Sequence, residues 1–261
     1  MSCNGCKGCD NHKRFHSFNV KLHTKEEIVI ALAGNPNVGK STVFNQLTGL
    51  KQHTGNWPGK TVQNARGSFR YKDRKFVLMD LPGTYSLLAN SVEEQVARDF
   101  ICFGKPKATV VVVDATCLER NLNLVLQVME ITDRVVVCLN LMDEAKKKHI
   151  DIDIPALEKE LGVPIVPTSA RSGDGLELLL QKVYDVALGI EKSTPLKVHY
   201  SEDVERVVNK LVPYIDRLLQ GRLDSKWVAL RLIDGDQTIL DSIYQYIYCD
   251  ESRGECGYDG L

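Results

Sequence analysis

No stretch of this 261-residue chain runs to ~18 or more apolar residues, so no segment reads as a helix that crosses a bilayer. The N-terminus lacks the apolar core of a secretory signal and is rich in Cys, Gly and Lys instead. Charge of either sign is not in excess. The 33 basic and 34 acidic residues leave a formal net charge of −1, which gives no prior for nucleic acid or an acidic membrane surface as partner. His occurs six times and Trp only twice. Strand signals are missing from about Tyr184 to Tyr248. What remains is a chain long enough to bury a large core and to hold one or two domains, with the composition of a soluble intracellular region.

The most informative segment is Gly34-Asn35-Pro36-Asn37-Val38-Gly39-Lys40-Ser41, which fits the phosphate-loop pattern G-x-x-x-x-G-K-[ST]. The apolar run Ile28-Val29-Ile30-Ala31-Leu32-Ala33 before it reads as a buried strand, and Ser41-Thr42-Val43-Phe44-Asn45-Gln46-Leu47 after it reads as the first turns of a helix. Glycines let the backbone wrap closely around phosphate, and the amides of the loop and helix start point at the anion. Lys40 is placed to reach β- and γ-phosphates, and the Ser41 hydroxyl to hold Mg²⁺.

Three later segments name the base. Asp80-Leu81-Pro82-Gly83 follows the apolar strand Lys75-Phe76-Val77-Leu78-Met79. There an Asp can hold the water shell of Mg²⁺ and the Gly83 amide can meet a γ-phosphate. Asn140-Leu141-Met142-Asp143 follows Val135-Val136-Val137-Cys138-Leu139 and resembles the guanine motif N-K-x-D of GTPases, with Asp143 accepting from the guanine ring N–H and exocyclic amine. Ser169-Ala170-Arg171 resembles the S-A-[KR] motif, whose Ala amide faces guanine O6. All four motifs fall at C-terminal strand ends, the edge where doubly wound sheets bind ligands.

Six strand candidates alternate with helix patterns, which predicts an α/β fold with a mostly parallel sheet and helices on both faces. Thr61 to Tyr71 and Lys75 to Asp80 are close enough to form a hairpin, so one edge is expected to be antiparallel. From Ser201 an amphipathic helix runs through Val204, Val207, Val208, Leu211, Val212, Ile215, Leu218 and Leu219, with Pro213 inside it. Ile239, Leu240, Ile243, Tyr244 and Ile247 repeat the pattern.

Between the phosphate loop and Asp80 lies the polar, Gly-rich segment Gln52-His53-Thr54-Gly55-Asn56-Trp57-Pro58-Gly59-Lys60-Thr61-Val62. Together with Gly34-Asn35-Pro36-Asn37, Asp80-Leu81-Pro82-Gly83-Thr84-Tyr85-Ser86-Leu87 and Asn140-Leu141-Met142-Asp143, it closely resembles the cytosolic N-terminal region of bacterial ferrous iron transport protein B, over about residues 25–248. Leu141 stands where other GTPases carry the Lys that packs under the base; this fits the family and implies weaker nucleotide affinity than in Ras-like proteins. The resemblance implies a Ras-like P-loop GTPase domain over residues 25–188 and a small all-α spacer over 189–248 that slows nucleotide release. A plain helical extension of the core remains the alternative for the latter. Residues 1–24 would be a Cys-rich leader and 249–261 a disordered tail. It further implies GTP and GDP as ligands, Mg²⁺ as cofactor, and a transmembrane iron permease region in the full-length protein. Location would be the cytoplasmic face of the bacterial inner membrane, with oligomers formed through that membrane region and no nucleic-acid partner. The chain is then an excised or a naturally separate cytosolic part.

Thr84 occupies the place where Ras-like enzymes have a water-orienting Gln, and no arginine finger is evident. Asn37 is a candidate to supply the missing charge by holding a monovalent cation beside the phosphates; the alternative is a residue that tolerates a tight turn. Potassium-stimulated GTPases carry Asn here, and the resemblance adds the backbone carbonyls of Gly55 and Trp57 as K⁺ ligands. In the same resemblance Thr61 is the Mg²⁺ ligand and γ-phosphate sensor. The catalytic set is therefore Asn37, Lys40, Thr61 and Gly83. Nucleotide contacts also come from Thr42, Gly59, Lys60, Val62 and the four motifs.

Cys3, Cys6 and Cys9 form C-x₂-C-x₂-C with His12 beyond, a spacing that reads as zinc or iron–sulfur ligation or as a flexible leader. Cys102, Cys117 and Cys138 lie in apolar contexts and read as core. Two other functions compete with the iron-transport GTPase. One is a potassium-dependent GTPase of ribosome or tRNA maturation, weakened because the stretch after Tyr184 is not notably basic. The other is a regulatory module built on the N-terminal Cys cluster.

Overall fold

A computed structural model gives the fold and describes residues 18, 27–49, 52–57, 60–88 and 90–251. The chain divides into two compact units, Met1–Lys197 and Val198–Leu261.

The first unit follows the order β1 (Ile28–Gly34), α1 (Lys40–Thr48), β2 (Gln52–Asn56), β3 (Gln63–Tyr71), β4 (Arg74–Asp80), α2 (Val92–Asp99), β5 (Ala108–Asp114), α3 (Leu118–Ile131), β6 (Val135–Asn140), α4 (Met142–Lys147), α5 (Ile154–Leu161), β7 (Ile165–Pro167) and α6 (Leu176–Leu188). Helix α2 runs on into a buried π-helical turn, Phe100–Gly104. The strands form one seven-stranded sheet in the order β2-β3-β4-β1-β5-β6-β7. β1 pairs in parallel with β4 and β5, and β6 in parallel with β5 and β7. The β2–β3–β4 edge is antiparallel.

The sheet carries one strand more than the six read from the sequence. Gln52–Asn56 has no apolar alternation, yet it pairs along β3 from Gln52 opposite Gly67 to Asn56 opposite Gln63. It is an edge strand held by its ladder, so its own residues need not face a core.

Alternation sorts the β1 side chains onto two cores. Val29, Ala31 and Ala33 join the side covered by α2 and α3. Ile28, Ile30 and Leu32 join the side with Phe44 of α1 and Leu179, Val183 and Val186 of α6. Both faces being covered explains why β1, β5 and β6 are apolar throughout. Trp57, just past β2, is buried at 2% exposure and packs edge-on against Phe100 (centroids 5.3 Å apart) and Phe18 (6.3 Å). The chain after α6 stays with this unit: Thr194 N–H donates to Gly162 O (3.0 Å) and Leu196 N–H to Leu161 O (2.9 Å).

The second unit holds α7 (Glu202–Leu219), α8 (Ser225–Ile233) and α9 (Gln237–Glu251). Acidic Glu202, Asp203 and Glu205 fill the first turn of α7 and Arg217 the last, matching the helix dipole. The helix passes through Pro213, which is exposed. Val208, Ile215 and Leu219 of α7 are buried, as are Trp227, Val228 and Leu230 of α8 and Ile239 and Ile243 of α9.

Trp57→Ala removes the aromatic plug that fixes the β2–β3 turn to the core. The unfolding free energy is expected to fall by about 3–5 kcal/mol in urea titration. A change below ~1 kcal/mol would mean that the indole contributes no packing of that kind.

Candidate functional site

Strand register brings the sequence motifs to one edge. Leu32 lies opposite Asp80, Gly34 opposite Val112, Asp114 opposite Asn140, and Leu139 opposite Pro167. The ends of β1, β4, β6 and β7 therefore share a line, and the loops that leave them carry the four motifs.

The loop after β1 ends at Gly39, the N-cap of α1, with φ 82°. A side chain is excluded there twice over. The backbone is left-handed, and a Cβ would run into the Asn140 amide nitrogen. Asn37 is also left-handed (φ 67°) and exposed, in keeping with the tolerance of Asn for this region. Ser41 and Thr42 are exposed on the first turn of α1. Lys40 Nζ donates to Asp80 Oδ1 and to Leu81 O (2.7 Å), joining the phosphate loop to the end of β4. Burial pushes the Asp80 carboxyl above the usual range, against the opposing pull of Lys40.

The Asp80-Leu81-Pro82-Gly83 segment continues alongside β1. Leu81 N–H donates to Leu32 O (2.9 Å) and Thr84 N–H to Gly34 O (3.3 Å). Gly83 is exposed against the Pro36 backbone, and Thr84 is buried. Gln127 of α3, which sequence reasoning did not single out, accepts from Leu87 N–H (2.6 Å) and Ser86 Oγ–H (3.3 Å), holding the following loop to α3.

At the other end, Asn140 is buried and uses both ends of its carboxamide. Nδ2 donates to Val38 O (2.9 Å); Oδ1 accepts from Ala170 N–H (3.0 Å) and Thr168 Oγ1–H (3.3 Å). The Ala170 amide, which the motif resemblance gives to guanine O6, is here bonded to Asn140. Leu141 is left-handed (φ 64°), uncommon for a bulky side chain, and it starts α4. Met142 N–H donates to Thr168 O (3.1 Å) and Asp143 N–H to Ser169 Oγ (3.2 Å), which fixes the start of α4 against the loop after β7. The Asp143 carboxylate and Arg171 are exposed, so the carboxylate is open to a guanine N–H pair.

The first-switch residues are arranged differently from the rest. Gly55 sits in β2 opposite Asn64. Trp57 N–H donates to Val62 O (2.9 Å) and Lys60 N–H to Trp57 O (3.0 Å), bonds that close the turn between β2 and β3. Lys60 and Thr61 are exposed in that turn. It lies at the nucleotide edge, but β4 separates β2 and β3 from β1. The structure thus brings together Asn37, Lys40, Ser41, Asp80, Gly83, Asn140, Asp143 and Ala170, and leaves Gly55, Trp57 and Thr61 on the outer hairpin. Gly59, Cys3, Cys6, Cys9 and His12 lie outside the described residues. Cys102 and Cys138 are buried, as expected of core residues, and burial pushes the Cys138 thiol up to about 12; Cys117, read as core, is exposed because it ends the 3₁₀ turn before α3.

The donors near the phosphate loop suit Mg²⁺: the Asp80 carboxylate and the Ser41 hydroxyl are hard oxygen ligands. The Asn37 carboxamide could serve a monovalent cation.

The family model for ferrous iron transport protein B matches residues 28–183, and that for the cytosolic helical domain of the same family matches 200–253. An Fe(2+) transport protein A/Fe(2+) transporter FeoB fusion protein of Porphyromonas gingivalis is 40% identical over 80% of this chain and 25% of its own length. The Fe(2+) transporter FeoB of Salmonella typhimurium is 38% identical over 87% of this chain and 29% of its own. The chain therefore spans between a quarter and a third of these relatives. Among solved structures, the cytosolic domain of L. pneumophila FeoB is 35% identical with a TM-score of 0.76, covering 86% of this chain and 90% of that one. The GDP form I of the cytosolic domain of T. maritima FeoB is 37% identical with a TM-score of 0.75, covering 86% of each. The G-domain of Methanococcus jannaschii FeoB is 48% identical with a TM-score of 0.56 over 62% of this chain and 99% of that one. The first unit has the Ras-like P-loop GTPase fold, and a helical domain follows it.

Asn140→Ala would leave Val38 O and the Ala170 N–H buried without this partner. The unfolding free energy is expected to drop by about 1–3 kcal/mol, with guanine-nucleotide affinity falling alongside it. Calorimetry and nucleotide titration on the same variant check both, and unchanged stability would show that the three loops are held by other contacts.

Proposed function

This chain belongs to the ferrous iron transport protein B family, and on that premise we propose that it binds GTP and hydrolyses it to GDP and phosphate, as a switch for ferrous iron uptake. The Asn140 carboxamide carries the reading: it ties the phosphate loop to the Ser169-Ala170 loop while the Asp143 carboxylate stays exposed beside them. That frame offers a phosphate site and a guanine reader at a fixed spacing.

The nucleotide phosphates lie along the amides of 34–41, and Lys40 moves from Asp80 and Leu81 to the β- and γ-phosphate oxygens. Ser41, Asp80 and Thr61 would hold Mg²⁺, which would neutralise charge on the β- and γ-phosphates. The Gly83 amide meets the γ-phosphate. Water attacks the γ-phosphorus as its bond to the β–γ bridging oxygen breaks, and that electron pair stays on GDP. Asn37, with the carbonyls of Gly55 and Trp57, would hold K⁺, which would supply the positive charge that an arginine finger gives in other GTPases. Trp57 O already accepts from Lys60 N–H and keeps a second lone pair with which it would meet the cation.

Iron is cargo for the membrane region of the full-length protein, and this part acts at the cytoplasmic face of the bacterial inner membrane, in oligomers formed through that region. Among the described residues no helix is long and apolar enough to cross a membrane. The helical unit is proposed to slow nucleotide release.

GTP and ATP hydrolysis measured side by side, in potassium and then in sodium at matched ionic strength, tests this. GTP turnover is expected to exceed ATP turnover and to be faster in potassium. Asn37→Ala should remove most of the cation difference, and Lys40→Ala should abolish turnover in both salts. A wild-type rate indifferent to the cation would discard the potassium site and leave the GTPase standing.

Base choice has its own test. Asp143→Asn is expected to weaken GTP binding by roughly 1–3 kcal/mol, while xanthine nucleotides gain relative to guanine ones. Unchanged GTP affinity would remove Asp143 as the base reader.

A further inference from the structure

One side chain of the phosphate loop is buried with nothing to bond. Asn35 is 3% exposed, and neither its amide nitrogen nor its amide oxygen has a hydrogen-bond partner. A carboxamide offers two donors and an acceptor, and a buried polar group left unmatched calls for an explanation. An apolar side chain of the same size would occupy the position without that cost.

The neighbours indicate what the group is for. On one side of Asn35 in the chain, Gly34 O accepts from Thr84 N–H at 3.3 Å, a long bond. On the other side, the Pro36 backbone lies against Gly83. Asn35 is therefore at the junction where the phosphate loop meets the turn after β4. That turn presents Gly83 to the γ-phosphate side and carries buried Thr84 where Ras-like enzymes place a water-orienting Gln. Thr is too short for that work, so the position of the attacking water depends on how firmly the turn itself is held.

We propose that Asn35 is a positioning residue for hydrolysis: its carboxamide bonds the backbone of the Gly83–Thr84 turn when that turn closes on the γ-phosphate, and so holds the Gly83 amide and the attacking water in line. The Asn35 side chain acts through the turn and touches neither nucleotide nor water. The same side chain is unbonded in the arrangement described here and bonded in the closed one, so it favours closure through differential contacts. This inference rests on the reading of the chain as a GTPase.

The test uses the full chain with Asn35→Leu, which keeps the branching and the number of side-chain heavy atoms, and Asn35→Ala, in case one of them fails to fold. Three quantities are read: steady-state GTP hydrolysis, the thermal midpoint without nucleotide, and hydrogen exchange at 83–84 with a non-hydrolysable GTP analogue. The expected result is a kcat at least tenfold lower, with KM and GDP affinity within about twofold of wild type. The nucleotide-free midpoint of Asn35→Leu should be unchanged or raised, because an unmatched polar group has been removed without leaving a cavity. The analogue should protect 83–84 in the wild type and not in the variants. A variant kcat equal to wild type, or a lowered midpoint with unchanged exchange at 83–84, overturns the proposal and makes Asn35 a structural group bonded to internal water. A wild-type chain that hydrolyses no GTP sinks the GTPase reading instead, and the exchange measurement still decides the role of Asn35.

Discussion

The Asn140 carboxamide is the contact on which the site depends. It is buried at the end of β6, and one end holds the phosphate loop at Val38 while the other holds the base-side loop at Ala170 and Thr168. Two loops more than a hundred residues apart in sequence thus share a single planar group. Gly39 is fixed by the same contact, since any Cβ there meets the Asn140 nitrogen. In a low-dielectric interior such bonds are stronger than in water, and a missing partner is correspondingly expensive. The spacing between the Val38 loop and the Thr168–Ala170 loop is therefore set by the protein's own contacts.

Charge at the phosphate end is managed by competition. Lys40 is shared between Asp80 and Leu81 O, and burial raises the Asp80 carboxyl even with that ammonium beside it. This partly buried pair loses part of its Coulomb gain to desolvation, and a phosphate group that takes the lysine gives the ammonium a new charged partner. Backbone strain gathers at the same edge. Asn37, Gly39 and Leu141 all take left-handed conformations there, and for Leu141 nothing about the side chain favours it.

The outer hairpin follows a different logic. β2 has one neighbour, polar residues and no core of its own, and Trp57 supplies the anchor by packing on Phe100 and Phe18. A segment held by one edge ladder and one aromatic plug is suited to rearrangement, since few buried contacts must break. The loop after Gly83 is held by Gln127 of α3, by the Thr84 bond to Gly34 O and by buried Leu87.

Much of this was legible in the sequence. The phosphate loop, Asp80, the Asn140–Asp143 segment and Ser169–Ala170 were placed by short patterns at the ends of apolar runs, because a buried parallel strand must be apolar and its C-terminal end must turn. The antiparallel edge and the helices after Ser201 followed from spacing, while their forming a separate unit did not. The seventh strand was not legible, because Gln52–Asn56 borrows its conformation from the ladder with β3 and shows no period of its own. Nor were the roles of Asn140 and Gln127, the burial of Trp57 or the unbonded state of Asn35. Each is a relation between segments far apart in the chain, fixed only when strand order and register bring them within hydrogen-bonding or packing distance. The sequence by itself determined which residue types are available and which elements they build. The tertiary structure decided which side chains are used up in holding the frame and which are left to act, because hydrogen bonds and burial depend on distances that no local pattern encodes.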